Sequence, residues 1–169
     1  MDIKSIKKVS IFDFDGTLVR TPLPHEGKEI YFKKTGKPWP YLSWWSKKES
    51  LDLSIFDIPK IEKVIRDYHT EIQNPDTFTI MMTGRLESLS SFIEIILEHH
   101  NLSFHRKIYN PGTKTFDYKI KSILMLNREF PGLEEIEIWD DRDEHIPGFR
   151  NLESKLNNLK SYKVNHILP

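Results

Sequence analysis

The sequence contains no cysteine. Disulfides, thiolate nucleophiles and thiolate-bound zinc are therefore excluded, and the absence fits a reducing compartment. Long hydrophobic runs are missing as well. After Met1-Asp2-Ile3-Lys4-Ser5-Ile6-Lys7-Lys8 the apolar run covers only Val9 to Phe12 before an aspartate. No signal-peptide core or membrane span can be built there or elsewhere, so a soluble, cytoplasmic protein is expected. Net charge is the third absence: 25 Lys and Arg balance 25 Asp and Glu, leaving no whole-molecule field to attract polyanions. Charge is patterned locally instead. Arg20, Lys28, Lys33, Lys34, Lys37, Lys47 and Lys48 face only Glu26 and Glu29 between positions 20 and 48, while Glu134 to Glu144 holds seven acids and one Arg. Repeats, low-complexity tracts and a P-loop are also missing.

A chain of 169 residues with 38% hydrophobic content buries one real core, so one domain spanning 1–169 is expected. Val9-Ser10-Ile11-Phe12, Thr77 to Met82 and Ile136-Glu137-Ile138-Trp139 are short apolar runs. They end at Asp13, at Thr83-Gly84-Arg85 and at Asp140-Asp141, and they read as buried strands stopping at polar residues. Helical spacing appears at Ile61, Val64, Ile65 and Tyr68, at Leu89 to Leu97 after Thr83, and at Tyr118, Ile123, Leu126 and Phe130. Leu152-Leu156-Leu159 predicts a last helix and Tyr162-Lys163-Val164 a last strand. This alternation predicts an α/β fold around a mostly parallel sheet, with ligands at the carboxyl ends of its strands. Residues 20–58, with four prolines and Trp39, Tyr41, Trp44 and Trp45, interrupt the alternation and are read as a small cap insertion over the site.

Asp13-Phe14-Asp15-Gly16-Thr17 sets two carboxylates two residues apart just past a strand, so both can face one cavity. Asp13 can attack phosphorus to form an aspartyl-phosphate, while Asp15 protonates the leaving oxygen and then activates water. Two carboxylates and a phosphate repel one another unless a divalent cation lies between them. Asp140-Asp141 supplies the missing acids, and magnesium held by Asp13, Asp15 through its carbonyl, and Asp141, with Asp140 beside it, satisfies the requirement. Thr83-Gly84-Arg85 would open a helix and offer a hydroxyl and free amides to the phosphoryl group. A lysine is needed against the equatorial oxygens: Lys119, Lys114 and Lys121 all satisfy the spacing. Arg142 and His145 either touch substrate or pair with the acids around them. His25 sits at the site mouth or on plain surface, and His99-His100 suits a helix C-terminus. Trp44 and Trp45 are read first as packing of the insertion, with base stacking as the alternative.

Asp-x-Asp-Gly-Thr after a strand, strand-Thr-Gly-Arg, a helix lysine and strand-Asp-Asp, in that order, resemble the four motifs of the haloacid dehalogenase superfamily. That resemblance implies a Rossmann-like fold, Mg2+, and the roles just given to Asp13, Asp15, Thr83, Lys119 and Asp141. Arg20-Thr21-Pro22, Ser43-Trp44-Trp45, Leu102-Ser103-Phe104, Thr115-x-x-x-Lys119 and Trp139-Asp140-Asp141-Arg142-x-x-His145 resemble more narrowly its Swiss Army Knife RNA repair-like group. The Thr-x-x-x-Lys element favours Lys119. A phosphatase acting on RNA or DNA ends or on nucleotides is thus expected, with Thr83, Gly84, Arg85 and Arg142 binding substrate. A small-metabolite phosphatase and a catalytically vestigial nucleic-acid-binding module are the alternatives.

Overall fold

The computed structural model describes residues 2–168. Five strands, β1 (Lys8–Phe12), β2 (Thr77–Leu86), β3 (Arg106–Asn110), β4 (Glu135–Asp140) and β5 (Ser161–His166), form one sheet in the order β3-β2-β1-β4-β5. Every neighbouring pair is parallel. The three apolar runs of the sequence are the three central strands, and both faces of each are covered, which is why they read as near-continuous hydrophobic stretches. In β1, Phe12 points into one core, and Val9 and Ile11 into the other. Helices α2 (Glu62–Gln73) and α3 (Ser90–His99) cover the first face with Val64, Ile65, Tyr68, Ile93, Ile96 and Leu97; α4 (Thr115–Glu129) and α5 (Ile146–Asn151) cover the second with Ile123, Leu126 and Phe149. The chain leaves β1 toward β2 on one side and reaches β4 on the other, so the topology switches between β1 and β4 at their carboxyl ends. In open parallel sheets ligands bind at this point.

Two expected elements differ. Thr83-Gly84-Arg85 does not open a helix: β2 runs through it to Leu86, and α3 begins only at Ser90. Met82 pairs with Ile108 and Leu86 with Asn110, so three residues of β2 stand opposite the single Tyr109. This bulge re-aims the side chains it carries. At the other end, the helix expected over Leu152, Leu156 and Leu159 is replaced by α5 and a 3-10 turn at Leu152–Lys155. Pro147 starts the helix early, and Leu156 and Leu159 pack as coil against the second core. Edge strand β3 escaped the sequence reading because Arg106-Lys107-Ile108-Tyr109-Asn110 has no apolar run. Among the described residues no helix is long and apolar enough to cross a membrane.

The 20–58 stretch is closed at its neck, where the Arg20 amide donates to Pro59 O at 2.8 Å and the Ile61 amide to Leu18 O at 3.0 Å. It contains α1 (Pro24–Thr35) and a short 3-10 turn at Lys48–Leu51. Trp44, Leu51, Phe56 and Ile58 join the core that faces α2 and α3. Trp44 is the anchor: its ring meets Phe56 and Trp39, its N–H donates to Pro22 O at 3.1 Å, and it lies so close over Gly27 that a Cβ there would come within 2.0 Å. The adjacent Trp45 goes the other way and stays 37% exposed, against 3% for Trp44. Removing the two rings therefore has unequal consequences. Trp44→Ala should cost about 3–5 kcal/mol, as large-to-small changes in cores do, whereas Trp45→Ala should cost under about 1 kcal/mol. Urea unfolding of the two variants, followed by circular dichroism, measures the difference.

Candidate active site

The site grows from the end of β1. The Asp13 amide donates to Trp139 O at 3.0 Å, which ties the residue to β4, and the following turn closes with the Gly16 amide donating to Val19 O at 2.8 Å. Phe14 enters the core, so Asp13 and Asp15 emerge on the same side. Gly16 is required twice over: its φ is +69°, and a Cβ there would lie 2.1 Å from Asp141 Oδ2. That absent side chain lets the loop after β1 approach the loop after β4.

Asp13 is buried, and its Oδ1 accepts from Lys119 Nζ at 2.8 Å; the same ammonium donates to Asp140 Oδ2 at 2.8 Å. Of the three candidate lysines, Lys119 is buried on α4 and makes this contact, while Lys114 and Lys121 are exposed. Asp140 Oδ1 accepts from the Arg142 amide at 3.0 Å. Burial alone would lower the Lys119 pKa, but Asp13 and Asp140 outweigh it and hold the ammonium well above its ordinary range. One lysine does not neutralise three acids. Burial, with Asp140 and Asp141 adding to it against Lys119, pushes Asp13 up to about 8. Burial and Asp140 push Asp141 up to about 6.

Carboxylate oxygens of Asp13, Asp140 and Asp141 lie within 4.8 Å of one another. An all-oxygen set with excess negative charge suits a small hard cation such as Mg2+, which keeps part of its water shell and takes few protein ligands. The Asp15 carboxylate is not in this cluster. Its Oδ1 accepts from Thr21 Oγ1 at 2.7 Å and Arg85 Nη2 at 2.8 Å, and its Oδ2 from Arg85 Nε at 2.9 Å. Burial would raise the Asp15 pKa, but the guanidinium and the Thr21 hydroxyl prevail and hold it below its usual value.

Arg85 is thus not free for a substrate phosphate. It is buried, and Nη1 donates to Trp45 O at 2.8 Å and Ser50 Oγ at 2.7 Å, so one side chain clamps Asp15 to the insertion. The β2 bulge aims it there. Thr83 is fully buried, its Oγ1 accepting from the Arg85 amide at 3.1 Å and its carbonyl from the Tyr118 hydroxyl. It lies behind the cavity wall, whereas Gly84 and Thr115 line it. Arg142 is exposed at the rim, 3.7 Å from Glu144. His145 sits against Phe116 and Phe149, out of the cavity, and burial lowers its pKa. His25 lines a separate hollow with Phe32 and Trp39, and His100 Nε2 lies 2.7 Å from Ile58 O. Thr21, Leu23, Ser50 and Thr115 had drawn no role from the sequence. Thr21 and Thr115 fall within Arg20-Thr21-Pro22 and Thr115-x-x-x-Lys119; nothing marks Ser50, which meets Arg85 across 35 residues.

Asp13, Asp15, Lys119, Asp140, Asp141, Arg85 and Gly84 all border one open cavity of about 440 Å³. The model of HAD domain family 1 in Swiss Army Knife RNA repair proteins matches residues 34–168. An uncharacterized protein of Saccharomyces cerevisiae is 29% identical over 171 residues, covering 87% of this chain and 37% of that protein; the chain therefore spans little more than a third of that relative. Several solved structures share the fold. The HAD domain of the effector Lem4 from Legionella pneumophila gives a TM-score of 0.57 at 16% identity, covering 97% of this chain and 87% of that one. A chain of the Pnkp1/Rnl/Hen1 complex gives 0.55 at 19%, covering 96% and 47%. A haloacid dehalogenase-like hydrolase from Streptococcus pneumoniae gives 0.52 at 17%, covering 95% and 94%. With its motifs at the switch point of a five-stranded parallel sheet, the chain belongs to HAD domain family 1 of the Swiss Army Knife RNA repair proteins.

Proposed function

We propose that the chain is a Mg2+-dependent phosphomonoesterase that removes terminal phosphates from nucleic acid. The observation that carries this reading is the convergence of Asp13, Asp15, Lys119, Asp140 and Asp141 on one cavity. Asp13 attacks phosphorus and the bond to the leaving oxygen breaks; Asp15, which must first take up a proton against the hold of Arg85, passes it to that oxygen. Asp15 then takes a proton from water, whose oxygen attacks the aspartyl-phosphate; phosphate departs and Asp13 is restored. Lys119 holds Asp13 in line and opposes the charge that builds on the equatorial oxygens. A cation bound by Asp13, Asp141 and the Asp15 carbonyl, with Asp140 adjoining, would screen the carboxylates from the incoming dianion. Arg85 and Thr21 keep Asp15 turned to the leaving-group side, and Gly84 and Thr115 offer their edge of the cavity to the phosphoryl oxygens.

Nucleic acid as substrate is supported by the RNA-repair description of the family and by the lysines of α1. Leu23, just before α1, lines the cavity, while Lys33, Lys34 and Lys37 lie exposed at the far end of that helix. At 1.5 Å per residue this is roughly 15 Å away, the reach of a short single strand. The cavity lining is also acidic at Asp143 and Glu144, which disfavours a polyanion against those two residues.

Three outcomes are expected. Asp13→Asn should reduce phosphate release to background, and Asp15→Asn should lower kcat on alkyl esters by about 10²–10⁴-fold while retaining a stoichiometric burst on p-nitrophenyl phosphate, whose leaving group needs no acid. Wild-type steady-state rates for either variant would contradict the mechanism. Mg2+ should bind more tightly as pH rises from 6 to 8, with proton release. Asp13 and Asp141, raised to about 8 and about 6, must lose protons to bind it, and calorimetric titration in buffers of different ionisation enthalpy reads both effects. Finally, Lys33, Lys34 and Lys37 changed together to Ala should lower kcat/KM on a phosphorylated oligonucleotide and flatten its salt dependence, sparing the mononucleotide. Equal losses on both would favour a small-molecule substrate.

A further inference from the structure

Trp44 and Trp45 are neighbours in sequence with opposite fates. Trp44 is locked over Gly27, so Trp45 must leave the insertion on the cavity side. There its indole is fixed from beneath: the Arg85 guanidinium carbon lies 4.9 Å from the ring centroid, and the same Arg85 holds the Trp45 carbonyl at 2.8 Å and both oxygens of Asp15. Trp45 therefore stands beside Asp15. In an in-line displacement the leaving oxygen lies opposite Asp13 and next to the residue that protonates it, so whatever that oxygen carries extends toward the groups around Asp15. Thr21 donates to Asp15 directly, Leu23 follows Thr21 two residues on, and Trp45 is tied to Asp15 through Arg85; all three line the cavity. Leu23 is 63% exposed and Trp45 37%, in a cavity whose remaining lining is glycine, threonine and charged residues.

We infer that Trp45 and Leu23 form a leaving-group subsite that takes the terminal nucleobase of the substrate, with the base stacked on the indole and Leu23 closing the edge. The inference rests on the phosphatase reading for its orientation, since Asp15 defines the leaving-group side. Its chemistry follows from the surface. An indole and a leucine offer a phosphate or a sugar hydroxyl no charged partner, but they gain when a flat apolar ring covers them. Stacking tolerates any base, because every base has a π-face. Arg85 cannot swing out to bind an anion instead, since Asp15, Ser50 and the Trp45 carbonyl occupy its donors.

The test compares short oligonucleotides bearing a terminal phosphate, identical except that the last residue is a nucleotide or abasic. With Mg2+ the base should raise kcat/KM by about tenfold; in Trp45→Ala the ratio should fall toward one, and Trp45→Phe should restore most of it. Leu23→Ala should reduce the ratio less. The Trp45 carbonyl that Arg85 uses survives in every variant. A ratio near one in the wild-type protein overturns the subsite and leaves the phosphatase standing. So does a Trp45→Ala protein that loses activity equally on both substrates, which would make Trp45 only a support for Arg85. The same pair of ligands titrated into Asp13→Asn protein separates the two readings: no turnover by wild type together with tenfold tighter binding of the base-bearing strand would sustain the subsite and sink the phosphatase. Equal binding there would sink the subsite.

Discussion

Three carboxylates meet one lysine where water screens them poorly. Asp13 and Asp140 share the Lys119 ammonium at 2.8 Å each, and Asp141 stands within reach of both with no lysine of its own. Removing Lys119 would leave a buried cluster of like charges, and removing an acid would leave a buried ammonium underused; either change costs more than the contact itself, because the remaining partner keeps its desolvation penalty. Burial, with the neighbouring acids adding to it, raises Asp13 and Asp141 above the ordinary carboxylate range. A divalent cation would supply the two positive charges that Lys119 leaves wanting. The arrangement is thus poised rather than relaxed, and function enters through an imbalance that packing alone would have removed.

That cluster depends on the sheet. Asp13 follows β1 and Asp140 closes β4, adjacent parallel strands whose connections run to opposite sides, so no crossover covers the space above them. Gly16 then allows the two loops to approach until Asp141 occupies the volume a side chain would have filled. The second carboxylate of the Asp-x-Asp motif is handled separately. Arg85 and Thr21 draw Asp15 away from the cluster, so two acids two residues apart acquire opposite protonation tendencies: one raised by burial among acids, the other lowered by a guanidinium. Asp13 becomes a nucleophile only once it has lost its proton, as a divalent cation beside it would bring about.

The parts of this architecture legible in the sequence were those written in local pattern. The three central strands announced themselves as apolar runs because both their faces are buried, and Asp13, Asp15, Asp140 and Asp141 were found because each follows such a run. Lys119 was one of three lysines by spacing; burial on α4 separates it from Lys114 and Lys121. What stayed hidden was written in tertiary contact. A bulge has no composition of its own, so Thr83-Gly84-Arg85 read as a helix start, and Arg85 read as a phosphate ligand because its true partners lie 35, 40 and 70 residues away. Edge strand β3, half-exposed and charged, lacked the signal that burial imprints.

Arg85 also changes what the insertion is. A cap hinged over a site would share few contacts with it, but here Trp44, Leu51 and Phe56 merge with the core beneath α2 and α3, and the neck is closed by backbone hydrogen bonds. Through Arg85 the Trp45 carbonyl and the Ser50 hydroxyl are fixed to Asp15 itself. Motion of the insertion would therefore drag the residue assigned to proton transfer, so the access route to this cavity is built in rather than opened. On the proposed reading, a site of that kind would select its substrate by what fits along a permanent rim, which carries an indole and a leucine as well as Asp143 and Glu144. The end of a flexible strand can thread such an opening without any closure, since the remainder of the polymer stays outside in solvent.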